Sequence, residues 1–214
     1  MSAGGGVWRN SWNFNVCTTI YQSNEQGNNY MEVTKPSQKK GKLWNNCCYL
    51  VGPIDKCPEG GATWRKQVKN TFGRLGMDFL DPTDKPNPKL NEIQQKIQEL
   101  NVLKAEGKYD ELAERVKLIR SFDLRCVDKA DFIIAYMNND IQMTGTIEEI
   151  VTANREKKPV LIVCEQGKKE IPNWMFGMLP HYYFFNNWAE LEDYVVGIDN
   201  GSIEPDKRWW FLNE

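Results

Sequence analysis

The sequence predicts an α/β fold with five parallel strands and helices on both faces of the sheet. Three observations carry this. Short apolar runs begin near residues 47, 77, 131, 159 and 182. Helical patterns separate them. Gly52-Pro53 and Asp81-Pro82 close the first two runs as turn signals. Strands that alternate with helices pair in parallel and need cover on both faces, which gives three layers.

In chain order, residues 1–45 are polar and rich in Asn, Gly and Ser, with Trp8, Trp12, Phe14 and Tyr21 interspersed. They predict a short arm or hairpin. A catalytic domain is expected over 46–200. Cys47-Cys48-Tyr49-Leu50-Val51 reads as a buried strand. Trp64, Val68, Phe72 and Leu75 recur at helical spacing, so 62–75 is an amphipathic helix. Met77–Leu80 is a second strand. Residues 83–119 are rich in Lys, Glu and Gln, with Leu90, Ile93, Ile97, Leu100 and Leu103 at helical spacing and a break at Gly107. They predict an inserted helical hairpin outside the catalytic core, its second helix covering 110–124. Asp131–Tyr136 is a strand, 146–157 a helix, and Pro159–Cys164 a strand buried on both faces. A last strand is expected at 182–185, a last helix at 188–196, and a C-terminal tail at 201–214.

The 27 Lys plus Arg nearly balance 29 Asp plus Glu, a net charge of −2. That argues against a nucleic-acid polymer as partner, since such binders carry a basic face. No stretch approaches 18 apolar residues, so no membrane span is expected. The small, flexible start lacks the pattern of a signal peptide. None of the six cysteines falls in a C-x-x-C pair, so neither zinc nor a disulfide framework is expected, and the compartment reads as cytoplasmic.

In parallel sheets ligands bind beyond the carboxyl ends of the strands. The loop Gly52-Pro53-Ile54-Asp55 follows the first strand, and its glycine permits close backbone approach. After the strand at 131–136 comes a loop that leads into Gly145-Thr146-Ile147-Glu148-Glu149. With the helix starting at 146, both glutamates fall in its first turn, where the free N–H groups favour an anion. The same residues fit a capping box, and on spacing alone that structural role is the stronger one. Asp131, which opens a strand, is open in the same way, since a cap on the preceding helix region or a pair with Lys129 also accounts for it. His181 reads as a surface or packing residue.

Taken in order, several segments resemble the nucleoside 2-deoxyribosyltransferase family. They are Tyr49–Asp55, Trp64-Arg65, Leu80-Asp81-Pro82, Asp123-Leu124, Ala130–Ala135, Gly145–Ile150 and Lys158-Pro159-Val160. The match covers roughly residues 46–165, and Ile171–Gly177 is similar to versions found in bacteriophages and some microbes. The resemblance implies a Rossmann-like or flavodoxin-like fold and a homo-oligomer. It implies Glu149 as nucleophile, Tyr49 as the group that orients it, and Asp131 as proton donor to the base. It also places Gly52, Pro53, Ile54, Asp55, Arg65, Asp81, Asp123, Gly145 and Thr146 around the substrate. Many members carry Asp or Ser just before the motif glycine, where this chain has Met143-Thr144.

The chemistry fits such a pair of groups. Breaking an N-glycosidic bond builds positive charge on the sugar carbon and negative charge on the base, so a carboxylate and a proton donor are needed. The expected activity is exchange of nucleobases on 2-deoxyribose through a covalent glycosyl-Glu149, with a nucleoside or nucleotide and a free base as partners and no cofactor. Hydrolysis of a nucleoside 5′-monophosphate is the alternative. It requires phosphate donors, for which Arg65 and Lys56 are the candidates. A non-catalytic nucleotide-binding protein is a third reading, against which the presence of both Glu149 and Asp131 counts.

Overall fold

The computed structural model describes Ile20–Ser23, Asn29–Glu32 and residues 40–85, 91 and 94–213. Two units separate at Lys39/Lys40. The first contains an antiparallel pair, β1 (Ile20–Ser23) and β2 (Asn29–Glu32), with Ile20 opposite Glu32. A hairpin was one of the two forms predicted here; Trp8, Trp12 and Phe14 lie outside the described residues.

The second unit holds a five-stranded, all-parallel sheet. Its strands are β3 (Cys47–Val51), β4 (Asp78–Leu80), β5 (Phe132–Met137), β6 (Val160–Cys164) and β7 (Phe184–Phe185). The spatial order is β4-β3-β5-β6-β7. Counted within this sheet, that is 2-1-3-4-5, the flavodoxin-like order. All five strands start within two residues of the positions predicted. The central strands are apolar throughout because both faces are covered: Leu50, Val51, Ile133, Ile134, Leu161 and Ile162 are fully buried.

The helices are α1 (Ala62–Phe72), α2 (Gln94–Ala105), α3 (Tyr109–Lys129), α4 (Thr144–Arg155), α5 (Asn173–Phe176) and α6 (Trp188–Asn200). The helical hairpin forms as α2 and α3. Gly107, at φ 71°, supplies the left-handed turn between them. Leu90 and Ile93, which open the predicted pattern, lie outside the described residues. Two of the boundaries that differ from the sequence reading bear on the site. Helix α3 runs on to Lys129 without a break, so the hairpin is continuous with the core. Helix α4 begins at Thr144, two residues early, with Met143 at its N-cap and no side-chain cap. The C-terminal segment packs on the core. Trp209 is fully buried against Phe132, their rings 5.1 Å apart, because the indole offers more apolar area than the chain end can leave in water.

Candidate active site

The strand order reverses between β3 and β5, so the loops after these strands diverge and leave a crevice at their carboxyl ends. A cavity of about 310 Å³ occupies it, at the small end of the range for small-molecule sites. Gly52, Pro53, Ile54 and Asp55 form one wall, and Gly145, Thr146 and Glu149 of α4 another. Asp123 of α3 and Lys104 of α2 also line it.

The β3 loop is fixed from beneath by Arg65. Its guanidinium is fully buried and donates to the carbonyl oxygens of Gly52 (2.9 Å), Gly60 (3.1 Å) and Gly61 (3.1 Å). Those are fixed acceptors, and a forked cation suits them. Arg65 therefore shapes the wall and does not line the cavity, which corrects its expected place against the substrate. Gly52 is required by space. A Cβ there would stand 2.8 Å from the Trp64 ring and 3.2 Å from the Tyr136 carbonyl oxygen.

Asp81 is corrected in the same way. It accepts from Lys69 Nζ at 2.7 Å, Thr83 N at 2.9 Å and Thr83 Oγ1 at 2.6 Å. Burial raises its carboxyl, but these bonds outweigh that, and the net shift is downward. Asp81 is a buried anion that ties off the loop after β4, and Pro82 beside it reaches the cavity.

Helix α4 carries the central group. Because it starts at Thr144, Glu148 and Glu149 lie in the second turn, and no acid occupies the first. This corrects the expected first-turn placement. It also removes the capping-box role, since Thr146 is inside the helix and the N-cap is Met143. Helical side chains lean towards the N-terminus, so residue i covers the face of residue i−4. Glu149 thus leans over Gly145. A Cβ at Gly145 would have nothing within 4 Å, so the glycine leaves open space on that face.

Tyr49 Oη donates to Glu149 Oε1 at 2.7 Å. The phenol is fully buried in β3, and burial, followed by the charges of Glu149 and Asp123, pushes its pKa well up. It therefore stays protonated and serves Glu149 as a fixed donor. Tyr49 sits behind the carboxylate and outside the cavity lining. Glu148 is turned elsewhere. Arg120 of α3 donates to it from Nε at 2.8 Å and from the terminal nitrogen, and this pairing lowers its pKa.

Asp123 has a different environment. Its Oδ1 meets Lys85 Nζ at 2.7 Å, and the lysine side chain is almost wholly buried. Asp131 is not part of this group. It precedes β5 at the amino end of the sheet, roughly 20 Å from the carboxyl end of that strand at about 3.3 Å per residue. Its Oδ2 accepts from Cys47 N at 2.7 Å and Asn46 Nδ2 at 3.4 Å, and its N donates to Cys47 O at 2.8 Å. It staples β5 to β3, which corrects its expected role as proton donor to the base.

Lys104 was not found among the site residues by sequence, because the hairpin was expected to stay clear of the core. Its place at the end of α2, three residues before the Gly107 turn, is the only signal that could have found it. Among the described residues no three His, Cys, Asp or Glu side chains are grouped to hold a metal ion.

Solved structures share this outline. The chain is similar to a 2-deoxyribosyltransferase from Bacillus psychrosaccharolyticus, at 20% identity and a TM-score of 0.48, over 69% of this chain and 91% of that one. It is similar to a CMP N-glycosidase of Clostridium botulinum, at 14% identity and a TM-score of 0.40, over 71% and 98%. A conserved protein from Enterococcus faecalis matches at 14% identity and a TM-score of 0.37, over 79% and 96%. No family model and no curated protein matches the sequence. Function is therefore read from the side chains themselves.

Proposed function

We propose that this chain is an N-glycosyl transferase that moves 2-deoxyribose between nucleobases, with Glu149 as the nucleophile. The observation that carries the reading is the Tyr49–Glu149 hydrogen bond in a cavity that Asp123 also lines. A carboxylate oriented by a neutral donor can attack the sugar carbon and later leave from it. Asp123 takes the place expected for Asp131, because it is the buried carboxylate that shares the cavity with Glu149. The incoming group is a second base, and water in its place gives hydrolysis.

A phosphorylated substrate has its own support. Lys56 and Lys104 line the cavity, and the first-turn residues Thr144–Thr146 of α4 border it without a side-chain cap. Free N–H groups at a helix start, with two cations near, suit an anion. Arg65, the other phosphate donor considered, is committed to carbonyl oxygens.

The test is incubation of the protein with a 2-deoxynucleoside and a different free base, followed by chromatography. A new nucleoside supports transfer. Free base with no new nucleoside supports hydrolysis, and unchanged substrate refutes both. Repeating the assay with the 5′-monophosphate, in wild-type protein and Lys104→Ala, checks the phosphate contact. A rise in KM for the monophosphate alone is expected.

A further inference from the structure

Lys85 follows β4 and is buried, although lysine is among the residues least often found inside a protein. Its Nζ meets Asp123 Oδ1 at 2.7 Å and lies 5.4 Å from the centre of the Phe122 ring. Lys85 does not line the cavity, whereas Asp123 does. Asp123 thus has a proton-bearing partner on one side and the substrate space on the other. A carboxylate paired with an ammonium is a poor acid by itself. Burial alters that balance. Moving the proton from nitrogen to oxygen removes two buried charges at once, and desolvation favours their loss.

Among the described residues, the titratable groups around the pair include Cys126 of α3, Tyr49 of β3 and Glu149 of α4, with Lys129 further along α3, while Asp55, Lys56 and Lys104 line the same cavity as Asp123. Burial, then Asp123, pushes the Cys126 thiol up to about 11, and Lys85 opposes this. Cys126 and Tyr49 therefore remain neutral and bound to their protons near pH 7. Among the described residues that line the cavity, Asp123 is the buried carboxylate with a buried ammonium directly behind it.

We propose that Lys85 and Asp123 act as one proton-carrying pair, with Lys85 as a positioning residue that stores the proton and Asp123 passing it to the base. The proposal rests on the reading of Glu149 as nucleophile. In the first half-reaction the bond between the sugar carbon and the base nitrogen breaks, and its electron pair goes to the nitrogen. A Glu149 oxygen bonds to the carbon. Asp123 gives a proton to the departing base and takes one from Lys85, which becomes a neutral amine. In the second half the nitrogen of the incoming base attacks the carbon and Glu149 leaves as a carboxylate. The proton released from that nitrogen returns through Asp123 to Lys85. Protons and charges balance over the cycle, and two macroscopic steps belong to the pair as a unit.

Lys85→Arg separates storage from charge, because arginine keeps the cation but does not release its proton. The full chain is assayed with a nucleoside and with a 2-deoxyriboside whose leaving group departs as a stable anion, such as a nitrophenolate. Lys85→Arg and Asp123→Asn are each expected to lose about 10²–10⁴-fold on the nucleoside, and Lys85→Arg is expected to stay within a few-fold of wild type on the activated substrate. Full nucleoside activity in Lys85→Arg overturns the proposal, since charge alone then suffices. Equal losses on both substrates in a folded variant also overturn it, since the role is then structural. Lys85→Met provides a second arm if the arginine is too large to fold. The alkaline limb of its kcat/KM profile should move to lower pH, and an unmoved limb counts against the relay. Wild-type protein inert towards both substrates would refute the nucleophile reading and this inference with it.

Discussion

The two ends of the parallel sheet each carry a carboxylate bonded across to β3, and they differ in what surrounds it. At the amino end Asp131 accepts from the Cys47 backbone and from Asn46. At the carboxyl end Glu149 is held by a side-chain hydroxyl and borders a cavity. A backbone N–H is an obligatory donor, and an acid that satisfies it acts as part of the sheet. A fully buried tyrosine hydroxyl needs an acceptor as well, so what sets Glu149 apart from Asp131 is the cavity it borders. Both ends carry a carboxylate, an aspartate at one and a glutamate at the other, and the proposed function assigns chemistry only to the one beside the cavity.

Removing the charge at the reactive end is the largest expected effect. Glu149→Gln preserves shape and should lower base exchange by several powers of ten, with substrate binding still measurable. Glu148→Gln should cost little, because its loss breaks only an exposed pair with Arg120. Mass spectrometry after trapping with a 2-fluoro-substituted nucleoside should place the sugar on Glu149. An adduct on Glu148, or near-normal turnover by Glu149→Gln, would collapse the contrast between the two ends.

Tyr49→Phe tests the donor itself. A hydrogen bond to a charged group contributes about 1.5–3 kcal/mol, so turnover should fall about 10- to 100-fold. The loss should appear mainly in kcat. An unchanged rate would mean that Glu149 does not depend on Tyr49 for its orientation.

Gly145→Ala is a finer probe. The added methyl meets open space, so folding is unhindered, and alanine is favoured over glycine in a helix by up to about 1 kcal/mol. Thermal stability should hold or rise while kcat/KM falls several-fold, because the methyl enters the face over which Glu149 leans. A variant both more stable and fully active would show that substrate does not occupy that space.

How much of this was legible in the sequence follows from which forces are local. The five strands were readable because burial on both faces leaves continuous apolar runs such as Val160–Cys164. The pairing of Tyr49 with Glu149, 100 residues apart, came through resemblance and not through pattern. Thr146-Ile147-Glu148-Glu149 misled on the helix start. A Ser/Thr-x-x-Glu spacing is equally at home inside a helix, and an uncapped start at Met143-Thr144 leaves no mark in composition. Asp131 was read as opening its strand, yet the resemblance gave it a role at the base, although a residue that opens a parallel strand stands at the end away from the ligand. Lys85 was invisible, since a lysine in a charged segment reads as solvated until its partner, 38 positions on, is known.

Asp131→Ala should have the smallest effect on turnover and is the sharpest test of the contrast. It leaves the half-buried Cys47 N–H without its side-chain acceptor, a loss of about 1 kcal/mol, the low end for a donor left unsatisfied. Asn46 loses a partner as well, but its longer 3.4 Å contact contributes less. Asp131→Asn keeps an acceptor oxygen at the same reach, so it should recover most of the stability. Both variants should exchange bases at close to the wild-type rate, since β5 stays anchored along its length to β3 and β6. Chemical denaturation with a parallel exchange assay separates the two quantities. If Asp131→Asn instead unfolds normally and loses base exchange by orders of magnitude, the acid at the amino end is chemical, and the division between the two ends of the sheet fails.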